Sequence, residues 1–142
     1  MSQQWFFWAA LSAVFAAMTA IFAKLGIQGV NADFATLIRT LIIVLVLVLF
    51  VKLTGQWQDP ASLSGRTWLF LSLSALATGG SWLCYFRALQ MGNASQVAPV
   101  DKFSLVLVAV FAFVFLGERP SLQQWLGIGM VASGVLVLAF KR

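Results

Sequence analysis

The sequence contains no histidine and a single cysteine, Cys84, and only 9% of its 142 residues are charged. One cysteine excludes an intrachain disulfide and any metal site built from several cysteines. Without an imidazole, this chain cannot assemble the usual zinc and haem sites or the usual pairs of nucleophile and base. We therefore expect a protein that is not an enzyme and that uses neither a metal nor another cofactor.

Apolar residues dominate what is present. They make up 61% of the sequence and the mean hydropathy is +0.95, whereas about a quarter of the residues of a soluble domain are charged. The net charge of +5 does not indicate nucleic-acid binding, because the nine Lys and Arg residues stand singly instead of forming a basic stripe. Basic residues at the ends of apolar segments are typical of a membrane protein.

Five apolar stretches are long enough to cross a hydrocarbon core of about 30 Å, which takes roughly 20 helical residues. The first stretch lacks a basic leader and is longer than the apolar part of a signal peptide, so we interpret it as a retained span. The sequence predicts an all-α membrane protein with five transmembrane helices and a single domain over residues 1–142. The predicted helices cover residues 5–23, 34–51, 68–89, 97–116 and 122–140.

Several charged residues lie inside these stretches or at their mouths, where an ionisable side chain costs about 3 kcal/mol on insertion scales. We interpret five of them as a solute pathway or gate, whose net positive charge attracts anionic or zwitterionic groups. These residues are Lys24, Arg39, Arg87, Asp101 and Lys102. The alternative is structural, with Asp33 and Asp101 pairing with the cations to fasten helix ends. Asp101 is also a candidate proton-coupling carboxylate.

Hydroxyl side chains recur on one face of the third predicted helix, at Ser74, Thr78, Ser81 and Tyr85. We expect Ser81, Trp82 and Tyr85 to contact a solute in a cavity, with the aromatic rings available for stacking or for cation–π contact. The alternative is that the hydroxyls bond a neighbouring helix or their own carbonyls.

The charges that flank the five spans are nearly balanced between the two sides. Three lie on each side: Lys52, Arg66 and Arg119 on the N-terminal side, and Lys24, Lys141 and Arg142 on the C-terminal side. Adding the three deeper cations favours a cytoplasmic C-terminus. So small a bias permits insertion in both orientations. Since five helices hardly enclose a solute path alone, we expect association with a second five-helix unit.

The segment SWLCYFRALQMGNASQVAPVDKFSLVLVAVFAFVFLGERPS, followed by QQWLGIGMVASGVLVL, resembles part of a known family. The resemblance is to helices three to five of the EamA family of the drug/metabolite transporter superfamily, in its short single-repeat bacterial and archaeal branch. The family's Leu-Gly-Glu turn corresponds to residues 116–118, and Lys24 and Arg39 resemble basic positions of the family.

This resemblance implies one EamA-type repeat in the bacterial inner membrane. It implies a secondary transporter that moves small organic metabolites, often outward, by alternating access as a dimer, with an antiparallel homodimer as the expected form. The first span has no acidic residue at its centre, unlike the small multidrug-resistance relatives, which argues against antiport of polyaromatic cations. The alternative function is a non-transporting membrane subunit that binds or modulates a larger complex.

Overall fold

The computed structural model describes residues 4–140, and within that range the chain folds into six α-helices and one short 3-10 turn. Lys141 and Arg142, which entered the count of flanking charges, lie outside the described residues. The helices are α1 (Gln4–Gly26), α2 (Ala32–Leu53), α3 (Gly65–Met91), α4 (Ala94–Asp101), α5 (Ser104–Phe115) and α6 (Leu122–Ala139), with the 3-10 turn at Pro60–Ser62.

Short polar segments set the helix boundaries. The Asn31 side chain accepts hydrogen bonds from the backbone N–H groups of Asp33 and Phe34, at 2.9 and 3.1 Å, and so caps α2. Ser121 and Gln124 form a capping box at the start of α6, in which each side chain accepts a bond from the other residue's backbone N–H. Gly117, in the turn before α6, has a φ of 66°, a backbone conformation that favours glycine.

The prediction of an all-α membrane protein with five spans is confirmed. Within residues 4–140, five helical segments are long and apolar enough to cross a membrane, and only 6% to 11% of each span is buried inside the chain. Most apolar side chains therefore face outward, as expected of helices that are surrounded by lipid. The observed spans extend two to three residues beyond most of the predicted boundaries.

The fourth span, Ala94–Phe115, differs from the uninterrupted helix that hydropathy predicts. It consists of α4 and α5, with a break at Lys102 and Phe103. Pro99 lies inside α4 and has no N–H to donate, which removes one bond of the helical ladder. The chain then tightens into three-residue turns, because Phe103 donates to the carbonyl of Val100 and Leu105 to that of Lys102, both at 3.0 Å.

The contacts divide the chain into two compact units. The first, which we call the hairpin unit, is Ile21–Met91; α2 packs on α3, and its buried residues are Ala23, Ile27, Ala32, Thr36, Phe86 and Leu89. The second, the terminal unit, combines residues 1–20 with 92–142, and here α6 packs on α4 and α5. The single-domain organisation stays a prediction.

Two adjacent glycines, Gly79 and Gly80, lie in the middle of α3, which continues through them without interruption. A Cβ added at either position would meet no atom within 4 Å. Neither glycine is therefore needed for close helix packing against the described residues. Gly79, but not Gly80, lines a groove between α2 and α3.

Candidate functional site

A groove of about 550 Å³ runs between α2 and α3 in the hairpin unit. We call it the α2–α3 groove. Its apolar walls are leucine and alanine side chains, and it also carries a set of polar and aromatic residues within two membrane-length helices. These are Asp33, Thr36, Thr40, Ser74, Thr78 and Trp82.

The threonines of the groove use their protons within their own helices. Thr36 donates to the carbonyl of Ala32, Thr40 to that of Thr36 and Thr78 to that of Ser74, at 2.7 to 2.8 Å. A hydroxyl that donates to its own helix keeps lone pairs that accept further hydrogen bonds. The middle of the groove therefore offers hydrogen-bond acceptors at membrane depth.

An ion pair stands at the end of the groove where α2 begins. The Nε of Arg87 donates to Oδ1 of Asp33 at 2.9 Å, and its Nη2 donates to Oδ2 at 2.7 Å. This two-point geometry is the strongest arrangement that an arginine and a carboxylate adopt. It joins the first turn of α2 to the last turns of α3. Both side chains remain partly exposed.

Arg39 stacks on aromatic rings one to two turns further along α2. Its guanidinium carbon lies 4.4 Å from the centre of the Trp82 ring and 5.3 Å from that of Phe86. Trp82 lines the groove, and Phe86 is buried. Both distances fall within the range of cation–π contacts, of which tryptophan makes the strongest. The rings thus hold a positive charge beside the groove.

Two further bonds join the last turn of α1 and the α1–α2 connection to the end of α3. The Nζ of Lys24 donates to the carbonyl of Leu89. The side-chain amide of Gln90 donates to the carbonyl of Val30 at 2.6 Å. Lys24, Arg39 and Arg87 supply three positive charges against the one negative charge of Asp33, which leaves this end of the hairpin unit with a net charge of +2. We call these four residues the charged cluster.

The residues of the predicted pathway are divided between the two units. Lys24, Arg39, Arg87 and Trp82 belong to the hairpin unit, whereas Asp101 and Lys102 belong to the terminal unit. There Lys102 Nζ lies 3.7 Å from Oδ2 of Asp101.

Of the three predicted cavity contacts, only Trp82 lines the α2–α3 groove. Ser81 is exposed on α3, and the ring of Tyr85 lies edge-on to Phe86 with 6.5 Å between the ring centres. The roles of all eight residues stay predictions.

Sequence reasoning missed Thr36 and Thr40. The signal was present, because Asp33, Thr36 and Thr40 follow helical spacing on one face of α2. Neither residue is charged, so a search for ionisable residues in apolar stretches passes over both.

A second groove, of about 580 Å³, lies between α5 and α6 in the terminal unit. Small and apolar residues form most of its lining, among them Ala109, Ala112 and Gly127, and the charged residues Glu118 and Arg119 lie at one end. It has no polar residues along its length comparable with those of the α2–α3 groove. The α2–α3 groove is therefore the better candidate site.

Five spans and a polar groove within two of them define a multi-pass membrane protein. The chain belongs to the EamA-like transporter family, whose family model matches residues 3–140. The resemblance found in the sequence is thereby confirmed, and the protein is an EamA-type membrane transporter.

Its relatives include one of nearly the same length, a shorter one and a longer one. An uncharacterized transporter in the cobO 3′ region of Sinorhizobium sp. is 60% identical over 98% of this chain and 99% of its own length. A probable 4-amino-4-deoxy-L-arabinose-phosphoundecaprenol flippase subunit, ArnE, of Hamiltonella defensa is 33% identical over 68% of this chain and 93% of its own. The uncharacterized transporter YxxF of Bacillus subtilis is 29% identical over 95% of this chain, but over only 42% of its own length. No solved structure matches the chain significantly.

Proposed function

We propose that this protein is a secondary transporter that carries small organic metabolites across the bacterial inner membrane, in the outward direction, by alternating access. The observation that carries the proposal is the α2–α3 groove. It places acceptor hydroxyls, a tryptophan and the carboxylate of Asp33 along two helices that are long enough to cross the membrane. Arg87 pairs with that carboxylate, and Arg39 contacts that tryptophan. Such residues are costly in lipid and mark solute pathways.

The proposal includes a dimer. Each span buries at most 11% of its residues within the chain, which leaves large helix faces for a second copy. The near balance of flanking charges fits a homodimer whose two copies are inserted in opposite orientations. The YxxF relative, of which this chain covers 42%, has the length expected if one polypeptide contained two such units.

The test is whether water reaches the groove. In a Cys84→Ser background, Thr40→Cys and Thr78→Cys place a thiol in the groove, and a membrane-impermeant maleimide is added from each side of the membrane. We expect both thiols to react. Matched controls are Leu45→Cys and Leu76→Cys, on the same two helices, because these leucines are 60% and 74% exposed and do not line the groove. Equal, negligible labelling at all four positions would contradict a solute route here.

A second candidate function is a subunit of a larger membrane complex. The observation in its favour is that the ArnE relatives are named as flippase subunits. Co-purification from membranes separates the two functions. Recovery of the protein only with copies of itself favours the self-sufficient dimer, whereas a stoichiometric second protein that is needed for solute movement favours the subunit.

A further inference from the structure

Arg39 differs from Lys24 and Arg87, the other two cations of the charged cluster, in the way it is held. The carboxylate of Asp33 occupies Arg87, and the carbonyl of Leu89 accepts a bond from Lys24. Among residues 4–140, no hydrogen bond or ion pair occupies the guanidinium of Arg39. The rings of Trp82 and Phe86 lie against it, and Tyr85 lies within electrostatic range.

The ring contacts of Arg39 do not use up its hydrogen-bond donors. A guanidinium carries five N–H donors in one plane, and rings whose centres lie 4.4 and 5.3 Å from its central carbon restrict its movement. The N–H groups match the spacing of two oxygens of a phosphate or carboxylate. An arginine that is restricted in this way binds an oxyanion with less loss of side-chain freedom than a mobile arginine.

The position of Arg39 agrees with a role in binding a solute. It lies seven residues into α2, about 10 Å along the helix axis from Ala32. Its ring partner Trp82 lines the α2–α3 groove. A cation at that depth is costly unless something compensates it. A negative group of a solute in the groove would supply the compensation that the described residues do not.

The net charge of the charged cluster indicates which kind of negative group the solute carries. Three cations and one carboxylate leave a surplus of two positive charges. A phosphate monoester carries close to two negative charges near neutral pH and has three acceptor oxygens. A single carboxylate neutralises only half of this surplus.

We propose that Arg39, supported by Trp82, binds a phosphate monoester group of the transported solute. The inference rests on the proposed function in that it takes the α2–α3 groove as the solute route. The phosphate belongs either to a lipid headgroup, whose chains would extend along the apolar walls of the groove, or to a small water-soluble solute. The chemistry at Arg39 is the same in both cases.

The test is calorimetric titration of the purified full chain in dodecyl maltoside micelles, which contain no phosphate. Three probes are used: dioctanoyl phosphatidic acid, dioctanoyl glycerol and inorganic phosphate. We expect at least one phosphate probe to bind and the neutral diacylglycerol not to bind. Tighter binding of the phosphatidic acid assigns the phosphate to a lipid, and tighter binding of inorganic phosphate assigns it to a soluble solute.

Variants connect that binding to Arg39. Arg39→Gln should weaken the affinity for the phosphate probe about tenfold or more, since it removes the charged donors. Arg39→Lys keeps the positive charge but lacks the paired N–H donors of the guanidinium, so we expect an intermediate loss of affinity. Trp82→Ala should weaken binding several-fold, and Trp82→Phe less. The matched control is Arg66→Gln, because Arg66 also stacks on a ring of α3, with 5.8 Å between its guanidinium carbon and the centre of Phe70.

Two results would overturn the inference: no binding of either phosphate probe to the wild-type protein, or an equal loss of affinity in Arg39→Gln and Arg66→Gln. A thermal melt of each variant shows whether a loss of affinity comes from unfolding. If Arg39→Gln is unfolded, the affinity of Arg39→Lys for the phosphate probe is compared with that of Arg66→Gln instead. Failure of the phosphate site is distinguishable from failure of the transport route. The first appears in the titrations, and the second in the labelling of the groove thiols.

Discussion

Arg87 and Asp33 are 54 residues apart in the chain and form a two-point ion pair, with N–O distances of 2.7 and 2.9 Å. The pair fixes the last turns of α3 against the first turn of α2. It therefore determines how the groove between these helices closes at the charged end.

Reversal of this ion pair tests its role. We expect Asp33→Arg and Arg87→Asp each to lower the melting temperature of the purified protein, because each places two like charges side by side. The double variant should recover most of the loss, since the pair re-forms with its charges exchanged. Thermal unfolding in detergent measures all three variants. If the melting temperature of the double variant falls by the sum of the two single decreases, the two residues act independently.

Leu89, in the last turn of α3, has no exposed surface and is therefore part of the buried core of the hairpin unit. Leu89→Ala should lower the free energy of unfolding by about 2–4 kcal/mol, through the lost contacts and the cavity that remains. Leu76→Ala, on the same helix, is the matched control, because Leu76 is 74% exposed. Denaturant titration of the helical signal compares the two. Similar losses in both variants would argue against the packing of α2 on α3 described above.

Gly79 and Gly80 allow a matched test of whether a side chain in the groove blocks access to it. Gly79 lines it and Gly80 does not, although neither has an atom within 4 Å of an added Cβ. Gly79→Leu should fill the groove and slow maleimide labelling of the Thr40→Cys thiol several-fold, while Gly80→Leu should leave the rate unchanged. Both substitutions favour the helix by removing a glycine, so a difference between them reports on the groove. Equal rates would mean that water reaches Thr40 by another path.

The near balance of flanking charges predicts dual topology. Fusion of the C-terminus to green fluorescent protein, which is active only in the cytoplasm, and separately to alkaline phosphatase, which is active only outside it, should give comparable signals. A variant with Gln56→Lys and Gln58→Lys adds two positive charges to the α2–α3 loop and should shift the protein toward alkaline phosphatase activity. A signal from only one wild-type fusion would contradict the antiparallel homodimer.

The sequence predicted the spans well because length and apolarity alone define them. The second helix was expected at residues 34–51 and extends over Ala32–Leu53, since the Asn31 cap starts it two residues earlier. The break in the fourth span was missed, although Pro99 signals it. Hydropathy is averaged over many residues and is not affected by the one backbone N–H donor that Pro99 lacks.

The candidate site was harder to predict because it depends on which helices meet. Sequence identified Trp82 and Arg39 but could not show that one stacks on the other. Asp33 was recognised as a possible partner for the cations, yet the choice of Arg87 depends on how α2 and α3 align. Asp101 and Lys102 belong to the terminal unit, and their grouping with the charges of the hairpin unit stays a prediction.

The threonine hydroxyls of the groove have one more consequence. Because Thr36, Thr40 and Thr78 already donate to their own helices, their hydroxyls are left as acceptors for a solute. An amine or hydroxyl finds partners at these oxygens, whereas a group that only accepts hydrogen bonds finds its donors at Arg39, which lies between Thr36 and Thr40 along α2. The groove thus presents both kinds of partner within about one helical turn, which suits a solute that carries a donor and an acceptor group close together.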